Sequence, residues 1–430
     1  MQVLSIQGGR RLCGVVDVAG SKNSALSLLS AVVMAEGVTI LHNIPDIADV
    51  RIKASILEVF GAKIQWRENS LIIDCTDLQN ADLDQDLATK IRTSFFLLGP
   101  LLARLGQASI PAPGGCKIGA RPVDYHIKGL EALGASINYH AGVFHATAKR
   151  LKGTNIYLDY ASPGATQHLM ATAALAHGIT TIHNAAMEPE VSSLADFINA
   201  MGGRIEGAGT STITIIGVRS LDGVTYRVPS DRIQAGTYLV AGAITQGDVT
   251  ARGILPETQT PVVNKLQEMG FDVEVGGDYV RVVSNSRPEP IKLRTMPFPG
   301  FPTDMQQPMC ALMALGTGTS IVEETVYEGR IGHIQELNRM GASVTLSDRT
   351  SVIQGVPNLV GATVSASDLR AGAALVLAGL AASGETHIRN VNYIDRGYEK
   401  LEETLTSLGA DICRSEVEEG YNFLRTENTI

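Results

Sequence analysis

The sequence lacks the signatures of several common protein classes. Its five cysteines are widely spaced and form no CxxC pair, so neither a disulfide framework nor a cysteine zinc site is expected, and reduced thiols are typical of the cytoplasm. There is no HExxH, no Walker A loop and no GxGxxG after a strand, so metal-dependent and dinucleotide chemistry have no support. The net charge of −9 argues against nucleic acid as the main partner.

Long hydrophobic runs are also missing. The stretch SALSLLSAVVMA, residues 24–35, is too short to span a bilayer and is typical of a buried helix. The N-terminus lacks the apolar stretch of a secretory signal. With 44% hydrophobic and 18% charged residues, the composition indicates a soluble, cytoplasmic protein with no membrane partner. A chain of 430 residues is too long for one ordinary core, so two or three domains are expected.

A unit of roughly 70 residues recurs six times along the chain. In each copy, apolar residues at three- and four-residue steps predict an amphipathic helix that ends at a glycine. A second helical run and a short strand precede that helix. The six closing glycines are Gly61, Gly134, Gly202, Gly270, Gly341 and Gly409.

A second marker, Leu-x-Gly followed by an extended run, predicts how the units close. It occurs in residues 11–20, 150–160, 220–230 and 358–367, and the internal copies follow a glycine corner and lead into the next unit. The sixth unit runs out without this strand, so residues 1–20 are expected to complete it in space. An open, non-enzymatic repeat scaffold is the alternative, but closure by both chain ends argues against it.

This closure predicts an α/β protein of two domains with three units each. One domain covers residues 21–229, and the other combines residues 1–20 with 230–430. Layers of strands and helices are expected in both. The cleft between two such domains is a natural ligand site.

Cations recur at two equivalent loop positions of the units. Each cation taken alone is explained by a solvated or capping side chain. Taken together, they favour a small ligand with several negative charges, such as a carboxylate and a phosphate, with room for a sugar nucleotide beside it. The five residues are Lys22, Arg121, Arg330, Arg370 and Arg396.

Asp304 lies in FPGFPTDMQQPM, before an apolar helix. One interpretation is a carboxylate stabilised at a helix N-terminus. The other is a base or a hydrogen-bond acceptor for a substrate hydroxyl. Asp231 and Asp368 occupy analogous positions, so position alone does not make any of the three catalytic.

Cys116 lies in the loop PAPGGCKIGARPVDYH, between glycines and cations. Lys117 and Arg121 favour the thiolate, and the glycines permit movement, so a reactive thiol and a structural one are both open. The remaining cysteines lie in apolar or strand-like contexts and are expected in the core. They are Cys13, Cys75, Cys310 and Cys413.

Several motifs together resemble one family of enzymes. AGSKNSALSLL, PGGCKIGARPVDYHIKGLEALGA, FPTDMQ, ETVYEGR, SDLRAGAALVLAG and YIDRGYE occur in the order and at the separations of the UDP-N-acetylglucosamine 1-carboxyvinyltransferases, the enolpyruvyl transferases of peptidoglycan synthesis. The resemblance runs through essentially the whole chain. It implies two inside-out α/β barrels, each of three repeated units, with the active site in the cleft between them.

The resemblance also implies the reaction and its partners. The enolpyruvyl group of phosphoenolpyruvate passes to the 3′-hydroxyl of UDP-N-acetylglucosamine by addition and elimination, and phosphate leaves. No metal or organic cofactor is required. By motif, Cys116 is the general acid and the target of fosfomycin, and Asp304 orients or deprotonates the sugar hydroxyl. Lys22 and Arg396 are also counted among the catalytic residues.

Substrate contacts are implied in the same way. Phosphoenolpyruvate is expected to contact Lys22, Asn23, Arg121, Arg330, Arg370 and Arg396. UDP-N-acetylglucosamine is expected to contact Arg92, Arg121, Pro122, Val123, Asp124, Tyr125, Ser162, Gly164, Asp304 and Val326. Two alternatives remain, namely enolpyruvyl transfer to shikimate 3-phosphate and a catalytically idle paralogue that binds the UDP-sugar and regulates wall synthesis. The sequence does not predict an oligomeric state.

Overall fold

The computed structural model describes residues 1–114 and 123–417. Its helices are α1 Lys22–Ala31, α2 Ala48–Val59, α3 Gln85–Thr89, α4 Leu98–Leu105, α5 Asp124–Ala132, α6 Pro163–Ala173, α7 Pro189–Ala200, α8 Arg232–Ile244, α9 Thr260–Glu268, α10 Gln306–Met313, α11 His333–Arg339, α12 Leu369–Ala381 and α13 Leu401–Ser407. Short 3-10 helices cover Val32–Met34, Arg92–Leu97, Pro256–Gln259, Thr303–Met305 and Val391–Arg396. No helix in these ranges is long and apolar enough to cross a membrane.

The strands alternate with the helices. They are β1 Gln2–Gln7, β2 Cys13–Asp17, β3 Ala35–Glu36, β4 Val38–His42, β5 Lys63–Arg67, β6 Ser70–Asp74, β7 Gln107–Pro111, β8 Ser136–His140, β9 Val143–Thr147, β10 Asn155–Tyr157, β11 Ile179–His183, β12 Ile205–Glu206, β13 Thr212–Ile216, β14 Leu221–Asp222, β15 Thr225–Arg227, β16 Asp248–Arg252, β17 Asp272–Val275, β18 Tyr279–Val283, β19 Lys292–Arg294, β20 Thr319–Glu323, β21 Ser343–Ser347, β22 Thr350–Gln354, β23 Thr363–Ser365, β24 Glu385–Arg389 and β25 Asp411–Glu416.

The first helix of each unit lies inside the protein. Helices α8, α10 and α12 are apolar on all sides, are almost completely buried and contact one another, while α6 contacts both α1 and α4. A helix that is hydrophobic all round belongs in a core. The sheets lie outside these helices and expose alternate residues, as in β4, where Leu41 is buried and Val38 is half exposed.

Each glycine corner ends the second helix of its unit. All six glycines that the repeat predicts adopt positive φ, from 84° at Gly270 to 101° at Gly409. Glycine reaches this left-handed region without the strain of a Cβ, so it stops the helix and turns the chain into the next strand.

The Leu-x-Gly strands close the sheets. β10 pairs in parallel with β11 of the following unit, and β23 pairs in the same way with β24. The other two pairings differ from the expected order, because β15 returns to β4 of the first unit and β2 pairs with β16 of the fourth. Each of these strands therefore joins the sheet of a unit within its own group of three. β1 lies between β24 and β25, in the sheet of the sixth unit.

The buried apolar residues form two clusters. One contains residues from 25 to 228, and the other contains residues from 4 to 18 together with residues from 233 to 412. The chain passes between the clusters twice, and Gly20 and Ser230 form an antiparallel bridge at the crossing. The division into residues 21–229 and residues 1–20 with 230–430 stays a prediction, and the limits of the two clusters fall beside its boundaries.

The cysteine prediction is only half right. Cys75 and Cys310 are buried, as expected, and burial raises the pKa of the Cys75 thiol to about 12. Cys13 and Cys413 are exposed, so the core prediction is wrong for them. Both lie on strands, and every second residue of a strand whose sheet has one solvated face points to solvent.

Candidate active site

A cavity of about 630 Å³ is lined by residues from both hydrophobic clusters and their connections. Most of the residues predicted for substrate contact line it. They are Lys22, Asn23, Arg92, Tyr125, Ser162, Gly164, Asp304, Val326, Arg330, Arg370 and Arg396. The repeat brings these residues together because equivalent loops of different units converge on the cavity.

Asp304 lies between two buried arginines. It belongs to the short 3-10 helix before α10, and its carboxylate caps no helix there. Arg330 Nη1 lies 2.8 Å from Asp304 Oδ1, and Arg370 Nη2 donates a hydrogen bond to Asp304 Oδ2 at 3.3 Å. By contrast, Asp231 and Asp368 cap α8 and α12 with their side chains. The structure therefore gives Asp304 a different role from its two analogues.

The arginines beside Asp304 are themselves held in place. Arg330 Nη1 also donates to Thr303 Oγ1, at 2.8 Å, and Arg370 Nη1 donates to the hydroxyl of Tyr398 at 3.2 Å. The Tyr398 hydroxyl in turn lies 2.8 Å from Thr237 Oγ1. Guanidinium groups fixed in this way lose little further side-chain entropy when they bind an anion.

Electrostatics keeps Asp304 ionised. Burial alone raises the pKa of this carboxyl, but the positive charges of Arg330 and Arg370 outweigh burial and hold the pKa far below its usual range. An ionised Asp304 accepts hydrogen bonds.

A second carboxylate, Asp49, holds the other pair of predicted cations. Lys22 Nζ lies 2.8 Å from Asp49 Oδ2, and Arg396 Nε donates to Asp49 Oδ1 at 2.7 Å. Arg396 Nη2 donates to Oδ2 as well, at 3.2 Å, so the contact is bidentate. Only 4% of the Asp49 side chain is exposed. This arrangement joins the first turn of α2 to the 3-10 helix Val391–Arg396 of the other cluster.

A third ion pair lies across the same cavity. Arg232 Nε donates to Glu190 Oε1 at 2.9 Å, and both side chains are largely buried. Glu188 stands beside them and accepts a hydrogen bond from the Phe298 backbone N–H at 3.4 Å. Burial raises the pKa of the Glu188 carboxyl. Glu188 lies just before α7 and Glu190 lies in its first turn, whereas Arg232 begins α8. The Arg232–Glu190 pair therefore also links the two clusters.

The cavity wall near Ser162 and Gly164 is neutral. Burial lowers the pKa of His126 to about 3 and lowers that of His168 as well. The Gly99 backbone N–H donates to His168 Nε2 at 2.8 Å, so this nitrogen carries no proton. The proton of neutral His168 therefore lies on Nδ1. It points to His126 Nδ1, which is 2.9 Å away and accepts the hydrogen bond. This assigns the proton of neutral His126 to Nε2.

Aromatic rings complete that wall. Phe96 stacks on His168, with ring centroids 5.9 Å apart, and packs tightly against Gly164. A Cβ at position 164 would lie 2.7 Å from the Phe96 ring, so glycine is required for this approach. The result is a flat, uncharged surface next to the N-terminus of α6.

Lys53 is buried beneath this wall. Its side chain is inaccessible to solvent, and burial lowers its pKa well below the usual value. Lys53 Nζ donates to the carbonyl of Thr93 at 2.6 Å. This bond fixes the 3-10 helix Arg92–Leu97, and with it the backbone next to Arg92.

Five predicted site residues are not placed on the cavity. Val123 and Asp124 lie at the start of α5, and Asp124 Oδ2 lies 4.0 Å from Lys128 Nζ. The remaining three lie outside the described residues. They are Cys116, Arg121 and Pro122.

The sequence reasoning missed several residues of the cavity. Asp49 and Glu190 lie in the first turn of the second helix of their units and Glu188 lies just before it, close to where Arg330 and Arg396 precede the second helices of theirs. Arg232 begins the first helix of its unit, as Lys22 does. A comparison of equivalent loops for carboxylates as well as cations would have found them. Within the residues described, no group of three or more metal-ligating side chains occurs.

Comparison with known proteins identifies the class. Residues 6–405 match the family model of EPSP synthase, described as 3-phosphoshikimate 1-carboxyvinyltransferase. The enolpyruvyl transferase NikO from Streptomyces tendae has the same fold, with a TM-score of 0.87, 29% identity, and coverage of 97% of this chain and 99% of that one. EPSP synthase from Acinetobacter baumannii shares the fold at 20% identity and a TM-score of 0.74, over 97% of this chain and 100% of that one. The protein is an enolpyruvyl transferase by fold, and the predicted α/β class is confirmed.

More similar sequences define the family within that class. UDP-N-acetylglucosamine 1-carboxyvinyltransferase 3 of Symbiobacterium thermophilum is 49% identical over 96% of this chain and 98% of that protein. UDP-N-acetylglucosamine 1-carboxyvinyltransferase 1 of Staphylococcus aureus is 46% identical over 96% of this chain and 99% of that protein. The chain belongs to the UDP-N-acetylglucosamine 1-carboxyvinyltransferase family, as its motifs predict.

Proposed function

We propose that this protein transfers the enolpyruvyl group of phosphoenolpyruvate to the 3′-hydroxyl of UDP-N-acetylglucosamine and releases phosphate, a step of peptidoglycan synthesis in the cytoplasm. The observation that carries the proposal is the pair of ion clusters in one cavity. Asp304 with Arg330 and Arg370 forms one, and Asp49 with Lys22 and Arg396 forms the other. A substrate with one carboxylate and one phosphate matches two such cation pairs.

Each cation pair has a task in the addition step. Lys22 and Arg396, with Asn23, bind the phosphate, and Arg330 and Arg370 bind the carboxylate. As the 3′-hydroxyl oxygen bonds to C2, a proton adds to C3 and the C2–C3 double bond is lost. The fixed cations stabilise the charge that shifts onto the substrate oxygens. Binding both substrates in one cavity removes much of the entropic barrier.

Asp304 takes the proton of the sugar hydroxyl in this scheme. Its pKa is held down by Arg330 and Arg370. When the substrate carboxylate recruits these arginines, their hold on Asp304 weakens and its pKa rises. Binding of the substrate thereby makes Asp304 a stronger base. In the elimination step, the C2–oxygen bond to phosphate breaks, C3 loses a proton and the double bond forms again.

The neutral wall suits the nucleotide sugar. Ser162 and Gly164 lie at the N-terminus of α6, where backbone N–H groups favour the diphosphate. Tyr125, Val326 and the rings beside Gly164 offer apolar contact. Cys116, in the loop before α5, is proposed as the acid that protonates C3, with Arg121 and Pro122 contacting the substrates.

The test is phosphate release from phosphoenolpyruvate with UDP-N-acetylglucosamine, with shikimate 3-phosphate, and with neither. Release that requires the UDP-sugar supports the proposal, and Cys116→Ala is expected to abolish it. Release with shikimate 3-phosphate instead would contradict the acceptor assignment. Binding of the UDP-sugar without release under any condition would favour the idle paralogue.

A further inference from the structure

Asp49 occupies the donors that the proposed reaction assigns to phosphate. Arg396 directs both Nε and Nη2 at its two oxygens, and Lys22 Nζ completes the contact at 2.8 Å. Two oxygens of a carboxylate and two of a phosphate present nearly the same pattern to a guanidinium group. Lys22 and Arg396 therefore contact Asp49, a residue of the same chain, as they would contact the anionic group of a substrate.

We propose that Asp49 is a positioning residue that acts as the resident anion of the phosphate subsite. It holds Lys22 and Arg396 in place before phosphoenolpyruvate binds, yields them to the phosphate group, and takes them back when phosphate leaves. This inference rests on the proposed function and deepens it, because it assigns a residue to product release.

The energetic argument concerns competition between anions. A carboxylate beside a bound phosphate repels it, since both are negative and little water lies between them. Part of the favourable free energy between phosphate and the cations Lys22 and Arg396 is thus offset by the loss of their contacts with Asp49. Phosphate binds less tightly as a result, and a product that binds less tightly is released faster.

The position of Asp49 makes the exchange feasible. It lies in the first turn of α2, a helix of 12 residues whose N-terminal N–H groups carry partial positive charge. A carboxylate there keeps a favourable environment when it gives up the two cations. Arg396 also donates to the carbonyl of Lys90, at 3.4 Å, which keeps its guanidinium near the cavity during the exchange.

The experiment measures binding of inorganic phosphate by titration calorimetry, without sugar nucleotide or turnover. Asp49→Asn keeps the shape and removes the charge, and we expect it to bind phosphate about tenfold more tightly, equivalent to about 1.4 kcal/mol. In turnover, KM for phosphoenolpyruvate and kcat are both expected to fall, because the substrate binds better and the product leaves more slowly. A purely structural role would lower kcat without tightening phosphate.

Asp46→Asn is the matched control. Asp46 is three residues away, pairs with Arg51 in solvent and does not line the cavity, so its removal changes the net charge equally and leaves phosphate binding unchanged. Asp49→Ser, which suits a first helical turn, is the second variant, and thermal unfolding verifies that each variant folds. Unchanged or weaker phosphate binding in the folded variants would overturn the proposal, as would failure of both to fold. A protein without transferase activity still gives a readable phosphate titration, so the two proposals fail separately.

Discussion

Two buried clusters, one behind each wall of the cavity, treat polar groups in different ways. In the cluster from residues 21–229, burial lowers the pKa values of Lys53, His126 and His168, which disfavours the charged form of each. The wall from residues 230–430 keeps Asp304 and Arg370 charged, because each compensates the other. Similar burial therefore favours the neutral form in one cluster and paired ions in the other, and residues 21–229 also supply Lys22, Asp49 and Glu190 to buried ion pairs.

The difference follows from the partners that each fold position supplies. A buried cation without a carboxylate loses its proton, because desolvation penalises the charged form. A buried carboxylate with two arginines remains ionised, because attraction exceeds the desolvation cost. A neutral wall suits the rings and hydroxyls of a nucleotide sugar, and an ionic wall suits a small anion. The comparison teaches that the available partners, and not burial alone, decide which groups at this cavity are charged before any ligand binds.

The largest effect is expected on the ionic wall. Asp304→Asn removes the charge that compensates Arg330 and Arg370, so it is expected to lower kcat by about 10²–10⁴-fold. It should also destabilise the protein by about 3 kcal/mol, because a buried pair loses one partner. Steady-state kinetics and urea unfolding measure the two effects.

A matched control for Asp304 lies on the outer sheet. Asp248→Asn breaks the exposed bidentate pair with Arg281, whose shorter contact is 2.7 Å, and should cost less than about 1 kcal/mol with no loss of kcat. Equal costs for the two substitutions would show that Asp304 is not held by charge in the way described.

The second effect is on the pH dependence of stability, in which the histidines and Asp304 contribute at different pH values. Unfolded histidine takes up a proton below about pH 6.5, whereas His126 in the folded state does so only near pH 3. The unfolded state therefore binds more protons, and stability falls as pH drops from about 6.5, by up to about 1.4 kcal/mol per unit for this histidine.

Asp304 contributes in a lower window. Its folded pKa lies below the ordinary 3.8, so its stabilisation is lost only as pH falls below that value. Urea unfolding from pH 7 to pH 4 should thus report the buried histidines, which are His126, His168 and, in the other cluster, His333, whose pKa burial lowers to about 4. His126→Gln should reduce the slope. A slope identical to that of the unaltered protein would contradict the assignment of neutral His126.

The smallest effect tests the buried amine of Lys53, whose pKa burial lowers. Lys53→Met keeps the length of the side chain and loses one hydrogen bond to the Thr93 carbonyl, so we expect a destabilisation of about 1 kcal/mol. KM for UDP-N-acetylglucosamine should rise a few fold, because Thr93 adjoins Arg92, while kcat stays constant. Lys63→Met, at an exposed pair with Asp77, is the control and should change neither. A loss above about 4 kcal/mol would mean that Lys53 is charged and paired.

Much of the site was predictable because the repeat makes loops equivalent. Lys22, Arg330, Arg370 and Arg396 could be picked out by comparing the units, and all four line the cavity. Asp49 could not be found by a search for cations alone, although it lies at the start of the second helix of its unit, close to the position that Arg396 has in the sixth unit. The roles assigned to Cys116 and Arg121 stay predictions, since both lie outside the described residues.

The exposed cysteines show the limit of local reasoning. Cys13 and Cys413 lie in apolar or strand-like contexts in the sequence, yet the outer faces of β2 and β25 leave them in solvent. A strand pattern gives two faces but does not say which of them meets the core. That choice depends on helices distant in the chain.

The sequence by itself determined the repeat, the glycine corners, the α/β class and the family, because these depend on local periodicity, backbone conformation and motif order. Only the tertiary structure decided which strand joins which sheet, as in the return of β15 to β4 and the pairing of β2 with β16. It alone also decided which carboxylate meets which cation. Asp49 and Arg396 are separated by 347 residues, and their contact exists because two closed cores share one cavity.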